Sequence, residues 1–163
     1  MGGIRVDRGT GSDEPLEAAA AALSAGQLVA RMPQGTIPRG PAFFDPALKG
    51  RWGAARLAAQ TRVPVIPIGL WGTEKVWPRN ARTPDVLAIG HPPTVRIRVG
   101  EPVELGLDDP DADTKAIMAA LVDLLPDEAR VEREPTPEEL ARSLPASYHG
   151  DPDAELDRRP GSD

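Results

Sequence analysis

Apolar residues recur every three or four positions in three stretches of the chain, a spacing that predicts amphipathic helices. The predicted helices cover residues 14–25, 48–60 and about 114–125. Asp13 stands where it can cap the first helix, and Gly26 where it can end it. Asp111 or Asp113 can cap the third helix. The same pattern allows a short fourth helix at 138–143.

Short apolar or alternating runs predict four strands. They cover residues 3–8, 27–32, 63–70 and 94–99. Pro64 and Pro67 exclude a helix in the third run and restrict its pairing. Residues 33–47 contain four Pro and two Gly and are predicted to form a loop. Strands that alternate with helices indicate an α/β fold, a mixed sheet flanked by helices, with ligands bound where loops leave the strands.

Composition and charge narrow the range of possible functions. Residues 1–100 carry 13 Lys/Arg and 7 Asp/Glu, a net charge of +6, whereas residues 101–163 carry 6 and 18, a net charge of −12. The split indicates a basic working portion and an acidic appendage. The sequence has no Cys and only two His, which leaves no thiol nucleophile and little for a metal site. We find no secretory signal and no apolar run long enough to span a bilayer.

The 33–47 loop holds the most informative polar residues. Gln34, Gly35 and Thr36 offer an amide, an unobstructed backbone and a hydroxyl, and Arg39 follows. Other cations stand in nearby segments, at Arg5, Arg8, Lys49 and Arg51. Such a set suits a phosphate, because amides donate hydrogen bonds and Arg offers a bidentate fork. The alternative is an irregular turn with solvated Arg side chains.

The three tryptophans and His91 have simpler interpretations. Trp52 lies on the apolar stripe of the second helix and is expected in the core. Trp71 and Trp77 are expected to pack under the 71–92 loop, although they could also line an acyl pocket or meet a membrane interface. His91 precedes two prolines and is expected to be a turn residue.

Several segments of residues 2–100 resemble the sequence blocks of the 1-acyl-glycerol-3-phosphate acyltransferase family and follow one another in the same order. GGIRVDR, with Gly3, Asp7 and Arg8, resembles the second block, a Gly followed by apolar residues and an Arg. MPQGTIP at 32–38 resembles the third, Phe-Pro-Glu-Gly-Thr-Arg-Ser, with Gln in place of Glu. VPVIPI at 63–68 resembles the fourth, and GAARLA at 53–58 resembles the segment that precedes it.

This resemblance implies a transferase of phospholipid biosynthesis that makes phosphatidic acid. It would move an acyl group from the co-substrate, acyl-CoA or acyl-carrier protein, to lysophosphatidate or a related glycerol phosphate, with no metal or other cofactor. The implied phosphate-binding residues are Arg8, Gln34, Gly35, Thr36 and Arg39. The implied acyl-donor pocket, or its support, consists of Val63, Pro64, Val65, Ile66 and Pro67. The family also implies a peripheral location on the cytoplasmic face of the inner membrane. No nucleic acid partner is expected, for the reason given below.

One departure from the family limits the expected activity. Its first block is a His followed five residues later by an Asp, the general base and its orienting partner. Here His91 is followed by Arg96, and His149 by Ala154. We therefore expect a truncated portion, incomplete at its N-terminus and without appreciable turnover on its own. The expected organisation is a partial acyltransferase domain at 1–104, a C-terminal helix region at 105–130 and a disordered acidic Pro-rich tail at 131–163.

Two other functions stay open. A non-catalytic phosphate- or lipid-binding module would keep the 33–47 loop and lack the catalytic base. The DNA upstream of Met1 discriminates between the two: a His-x4-Asp block encoded there in frame would favour the truncated enzyme. Nucleic-acid binding by the basic half is less favoured, because the Arg residues are dispersed and no aromatic–basic platform occurs.

Overall fold

A computed structural model of the chain describes residues 3–4, 13–35, 37–38, 40–84, 92–145 and 147–150. Its elements are α1 (Glu14–Ser24), α2 (Gly53–Thr61), β1 (Ile68–Trp71), α3 (Thr73–Val76), β2 (Arg96–Val99), α4 (Pro110–Asp123) and α5 (Pro137–Ser143). Short 3₁₀ turns occur at Gly40–Phe43 and Asp127–Ala129. Helices and a small sheet together confirm the α/β class. Most of the strand predicted at 3–8 lies outside the described residues.

Helices α1 and α2 pack together and form the main apolar cluster. Its buried members are Ala19, Ala20 and Leu57, and Leu16, Leu23 and Val29 pack around them. Asp13 occupies the predicted cap position of α1, but its side chain makes no capping hydrogen bond. Its carboxylate instead forms an ion pair with Arg56 of α2 at 3.2 Å. The two helices are therefore joined by apolar packing and by one exposed ion pair.

Helix α2 begins five residues later than the sequence pattern predicts. The backbone N–H of Arg51 donates to the carbonyl of Pro33 at 2.8 Å, so it is directed away from any helix. Gly50 lies against α4 so closely that a Cβ there would be 2.8 Å from side-chain atoms of Thr114 and Met118. These contacts hold residues 48–52 in a loop, although their apolar spacing is helical.

The sheet consists of two antiparallel strands, with Ile68 opposite Val99 and Leu70 opposite Ile97. A mixed sheet also needs a parallel pair, which is not seen in the part of the chain that the structure describes. The strand predicted at 63–70 enters the ladder only at Ile68. Before it, single hydrogen bonds continue the pairing, from Gly100 N–H to the Pro67 carbonyl and from Val103 N–H to the Val65 carbonyl. Proline explains this irregular edge, because it has no N–H to donate.

The prediction of a buried strand at 27–32 is wrong. These residues have no strand pairing, and Leu28 and Met32 are exposed. A strand is stabilised by hydrogen bonds to a neighbouring strand, and none lies beside this segment among the described residues. The Arg31 side chain instead donates to the carbonyl of Gly53 at 2.9 Å, which ties the segment to the start of α2.

Helix α4 contacts strand β1 of the sheet and helix α2. Its cap is Asp109, whose carboxylate accepts from the N–H groups of Asp111 and Ala112. The expectation that Asp111 or Asp113 caps this helix is therefore wrong by two or more residues. Asp113 is buried and accepts from the N–H groups of Gly106 and Leu107 instead, so it anchors the loop before the helix.

Helix α5 falls within the acidic segment after residue 130. Thr136 and Glu139 form a capping box, in which each side chain accepts from the other residue's backbone N–H. Arg133 adds two hydrogen bonds to the Glu139 carboxylate, at 2.7 and 2.8 Å. The sequence allowed a helix at 138–143, and these local contacts explain why it forms. Residues 151–163, in the predicted tail, lie outside the described residues.

Candidate anion-binding site

The sequence MPQG forms a tight turn between α1 and α2. The N–H of Gly35 donates to the carbonyl of Met32 at 3.0 Å, and Pro33 stands at the turn position that suits its fixed φ. Gly35 has φ +66°, a conformation that favours glycine. The turn leaves Gly35 exposed and Gln34 half-buried. The other predicted phosphate ligands, Arg8, Thr36 and Arg39, lie outside the described residues.

Arg51 is the cation that the structure places beside this turn. A Cβ at position 35 would lie 3.1 Å from the Cδ of Arg51 and 3.3 Å from its Nε, so the Arg51 side chain crosses directly over Gly35. The Arg51 backbone also donates to the Pro33 carbonyl. The absence of a side chain at Gly35 makes room for the arginine. From the sequence, Arg51 is one of several nearby cations and is not assigned to the site; its position just before GAARLA is the available signal.

A second arginine, Arg31, lies at the start of α2. Its guanidinium lies against Gly53, where a Cβ would be only 2.6 Å from Nη2. Desolvation by this packing lowers the pKa of Arg31, but a guanidinium remains protonated at any physiological pH. The structure thus places a permanent cation, Arg51, at the Gln34–Gly35 turn and a second, Arg31, against Gly53.

The second half of the loop is held by residues far away in the sequence. Arg79 donates to the carbonyls of Pro38 at 2.7 Å and Ile37 at 3.3 Å. The N–H of Gly40 donates to the Ser143 hydroxyl at 3.1 Å. Arg133 stacks over the ring of Phe44, 5.4 Å from its centre. Three residues outside the 33–47 loop therefore fix its course, and nothing in the local sequence pattern indicates them.

The predicted acyl-donor residues lie in the segment that precedes β1. Val63, Pro64 and Val65 line a shallow cavity of about 240 Å³, whose other walls are formed by Arg62, Val103, Leu105 and Leu107. Ile66 is exposed, and Pro67 is buried against Gly100. Pockets for small-molecule ligands usually measure about 300–1,000 Å³. The cavity is thus smaller than most such pockets, and the role of residues 63–67 stays a prediction.

The remaining candidates are the tryptophans and the histidines. Trp52 is half-buried, Trp71 donates from its indole nitrogen to Glu128 at 2.7 Å, and the side chain of Trp77 is 55% exposed. Packing of Trp77 under the loop is therefore not observed. His149 is exposed, and His91 lies outside the described residues. Among the residues that the structure describes, no group of three His, Cys, Asp or Glu side chains could hold a metal ion.

None of the helices in the described ranges is both long and apolar enough to cross a bilayer.

Comparison with known protein families gives a match to part of the chain. A protein-family model described as Acyltransferase matches residues 1–71. The matched stretch contains α1, the MPQG turn, Arg51, α2 and β1, whereas α4 and α5 lie beyond it. The match supports an acyltransferase relationship for this part of the 163-residue chain. No curated protein sequence and no solved structure is significantly similar to the chain.

Proposed function

We propose that the chain carries the acceptor-binding portion of an acyltransferase of phospholipid biosynthesis. The reaction would transfer an acyl group from acyl-CoA or acyl-carrier protein to lysophosphatidate or a related glycerol phosphate. The proposal is supported by the Acyltransferase match over residues 1–71. One geometric observation carries it: the Arg51 side chain lies across Gly35 in the turn that resembles the family's phosphate-binding block.

The turn has the components that phosphate recognition needs. Gly35 leaves room for the Arg51 side chain to cross the turn, and the Gln34 amide can donate hydrogen bonds. Arg51 supplies positive charge at the turn, and a guanidinium matches the oxygens of a phosphate in a bidentate manner. In the proposed site these residues bind and orient the acceptor. They do not move its proton.

The chemical step needs a group that the sequence does not supply. The acceptor's hydroxyl oxygen attacks the thioester carbon, the carbon–sulfur bond breaks, and the thiol leaves with a proton. In the family a His takes the hydroxyl proton, but neither His of this chain has an Asp five residues later. Loss of a general base typically lowers the rate by about 10²–10⁴-fold. We therefore propose a binding role for the chain on its own, at the membrane surface where such acceptors are found.

Binding of glycerol 3-phosphate, measured by titration calorimetry, tests the proposal. Arg51→Gln removes the charged fork and is expected to weaken binding about 10–100-fold, as for a charge-assisted hydrogen bond worth roughly 1.5–3 kcal/mol. Arg51→Lys keeps the charge and should show an intermediate loss. Gly35→Ala should also weaken binding, because its Cβ would displace Arg51.

Arg98→Gln is the matched control, since Arg98 is exposed on β2 and its substitution makes the same change in net charge. If Arg51→Gln and Arg98→Gln weaken binding equally, the anion site is not at the MPQG turn. If the unaltered chain does not bind glycerol 3-phosphate, the proposed function is wrong.

A non-catalytic phosphate- or lipid-binding module makes the same binding predictions. The observation that favours it is the absence of the His-x4-Asp spacing from this sequence. The two functions differ in turnover. Addition of a peptide or domain that contains the His-x4-Asp block should restore acyl transfer to an enzyme portion and should leave a binding module inactive.

A further inference from the structure

The segment that follows the MPQG turn is held by one guanidinium nitrogen. Nη1 of Arg79 donates to the carbonyl oxygen of Pro38 at 2.7 Å and to that of Ile37 at 3.3 Å. The same nitrogen reaches the carbonyl oxygen of Ser143, the last residue of α5, at 3.4 Å. Three carbonyl oxygens from two distant parts of the chain therefore converge on one cation. We refer to this arrangement as the Arg79 clamp.

A positive charge is well suited to the position of Arg79. Carbonyl oxygens carry partial negative charge and repel one another where they converge, and a hydrogen bond from an ionised donor is roughly twice as strong as one from a neutral donor. Arg79 is half-buried, so water screens these contacts less than it would at the open surface. Without the guanidinium, the three carbonyls would face each other and the two segments would separate.

The Arg79 clamp stands directly beside the candidate anion site along the chain. Ile37 is two residues beyond Gly35, and the predicted ligands Thr36 and Arg39 flank the Ile37–Pro38 pair in the sequence. The peptide chain is continuous, so a shift of the backbone at Ile37 and Pro38 is passed to the residues on both sides. The clamp can therefore control the geometry of the site from a position outside it.

Both Arg79 and α5 lie outside the stretch that matches the Acyltransferase model, residues 1–71. The clamp is thus formed by a part of the chain that the match does not cover. The hydrogen bond from the Gly40 N–H to the Ser143 hydroxyl joins the same two segments. Two independent contacts therefore connect α5 to the loop that follows the MPQG turn.

We propose that Arg79 is a positioning residue of the anion site, which fixes the backbone after the MPQG turn without contacting the anion. The inference rests on the proposed function and extends it to a coupling between the anion and the C-terminal segment. Because α5 shares the clamp, anion binding and the docking of α5 stabilise each other. Coupling between two binding equilibria is reciprocal, so each should be detectable from the other.

Arg79→Gln tests the proposal in the full chain, with glycerol 3-phosphate as the ligand. The variant keeps a side-chain N–H donor and loses the charge, and affinity should fall about 2- to 30-fold, the range for coupling through a packed network. Arg79→Lys keeps a charged donor and should recover part of the loss. Arg82→Gln is the matched control and should bind as the unaltered chain does, because Arg82 is exposed in the same segment and the change in net charge is equal.

Two further measurements separate positioning from direct contact. Removal of a cation that touches the anion makes binding less dependent on salt, since salt screens that pair of charges. Arg51→Gln should therefore reduce the salt dependence, whereas Arg79→Gln should lower the affinity and leave the salt dependence unchanged. In the unaltered chain, saturating glycerol 3-phosphate should slow hydrogen exchange at the Gly40 amide, and Arg79→Gln should abolish this effect.

The outcomes that overturn the inference differ from those that overturn the proposed function. Equal affinity of the unaltered chain and Arg79→Gln would overturn the inference alone. A reduced salt dependence of Arg79→Gln would make Arg79 a direct ligand instead, and an equal loss in Arg82→Gln would assign the effect to net charge. If the unaltered chain does not bind glycerol 3-phosphate, both are wrong. Should Arg79→Gln fail to fold, Arg79→Lys and Arg82→Lys are compared in its place, and the loss should occur in the first of them only.

Discussion

The hydroxyl of Ser143 accepts a hydrogen bond from the backbone N–H of Gly40 at 3.1 Å, across 103 residues of sequence. The same hydroxyl donates to the carbonyl of Leu140 at 2.7 Å, so both its donor and an acceptor position are used. Ser143 is 1% exposed, and the Gly40 N–H is buried with it. The acidic C-terminal segment is thus attached to the loop that carries the candidate anion site.

Replacement of Ser143 tests this attachment. Ser143→Ala leaves the buried N–H of Gly40 without its acceptor, which should lower the free energy of unfolding by about 1–3 kcal/mol. Urea denaturation measures the loss, and hydrogen exchange at the Gly40 amide should become faster. Ser147→Ala is the control, because Ser147 is exposed in the same segment. Equal stability of the two variants, with unchanged exchange at Gly40, would show that α5 does not hold the loop in solution.

The capping box of α5 makes the stability of this helix sensitive to acid. Two hydrogen bonds from Arg133 and one from the Thr136 N–H hold the pKa of Glu139 at about 2, below its ordinary value of 4.5. Because the folded-state pKa is depressed, the stabilisation is fully present above pH 4.5. It is lost as the pH falls toward 2.

Glu139→Gln should remove this part of the pH dependence. The stability difference between the unaltered chain and the variant is expected to be constant above about pH 5 and to shrink between pH 4.5 and 2. The difference will be modest, since the pair is exposed to solvent and screened by salt. Titrations of urea midpoints against pH measure it, with Glu134→Gln, an exposed acid nearby, as the comparison. A difference that persists unchanged at pH 2 would contradict the assignment.

Local pattern predicted the helices better than the strands. Helix α1 agrees with its apolar spacing and with Gly26, which has φ +76° just beyond the helix. The spacing also marked residues 48–52 as helical, but the hydrogen bond from Arg51 to Pro33 and the packing of Gly50 on α4 prevent this. Both contacts join segments that are distant in sequence. Periodicity contains no information about them.

The residues of the candidate site likewise divide into those that the local sequence indicates and those that tertiary packing brings in. Composition and the MPQG sequence indicated Gln34 and Gly35, and the positive φ of Gly35 agrees with the choice of glycine there. The position of Arg51 over the turn depends on how the chain returns after residue 47. Ser143 lies 103 residues from the amide that it binds. Such partners are set by tertiary packing, so a single sequence cannot identify them.

Asp113 offers a test of how helix α4 is anchored. Its carboxylate accepts from Gly106 at 2.8 Å and Leu107 at 2.9 Å, and Leu107 has the unusual φ of +66°. Asp113→Asn keeps the size but removes one acceptor at a 4% exposed position, so a loss of about 1–3 kcal/mol is expected. For a chain of this size, this corresponds to a fall in Tm of roughly 3–10 °C.

The opposite end of α4 provides the matched control for Asp113→Asn. Asp123 is exposed in the last turn, where a negative charge is unfavourable to the helix dipole. Asp123→Asn should therefore leave the Tm unchanged or raise it slightly. Scanning calorimetry measures the Tm of both variants. Equal shifts would mean that the carboxylate of Asp113 does not hold the loop before α4.

The outer face of the sheet is apolar and open. Ile68, Leu70, Ile97 and Val99 lie side by side on it, each between 45% and 65% exposed. Large apolar patches of this kind are uncommon on monomeric proteins and promote association.

Ile97→Thr keeps a β-branched side chain, so it should change the free energy of unfolding by less than about 0.5 kcal/mol. It should also lower the binding of a hydrophobic dye and any concentration-dependent self-association measured by sedimentation. Val131→Thr, at an exposed position outside the sheet, should alter neither. A destabilisation by Ile97→Thr well above 1 kcal/mol would instead mean that this face is covered in solution, because only a buried isoleucine carries that much stabilisation.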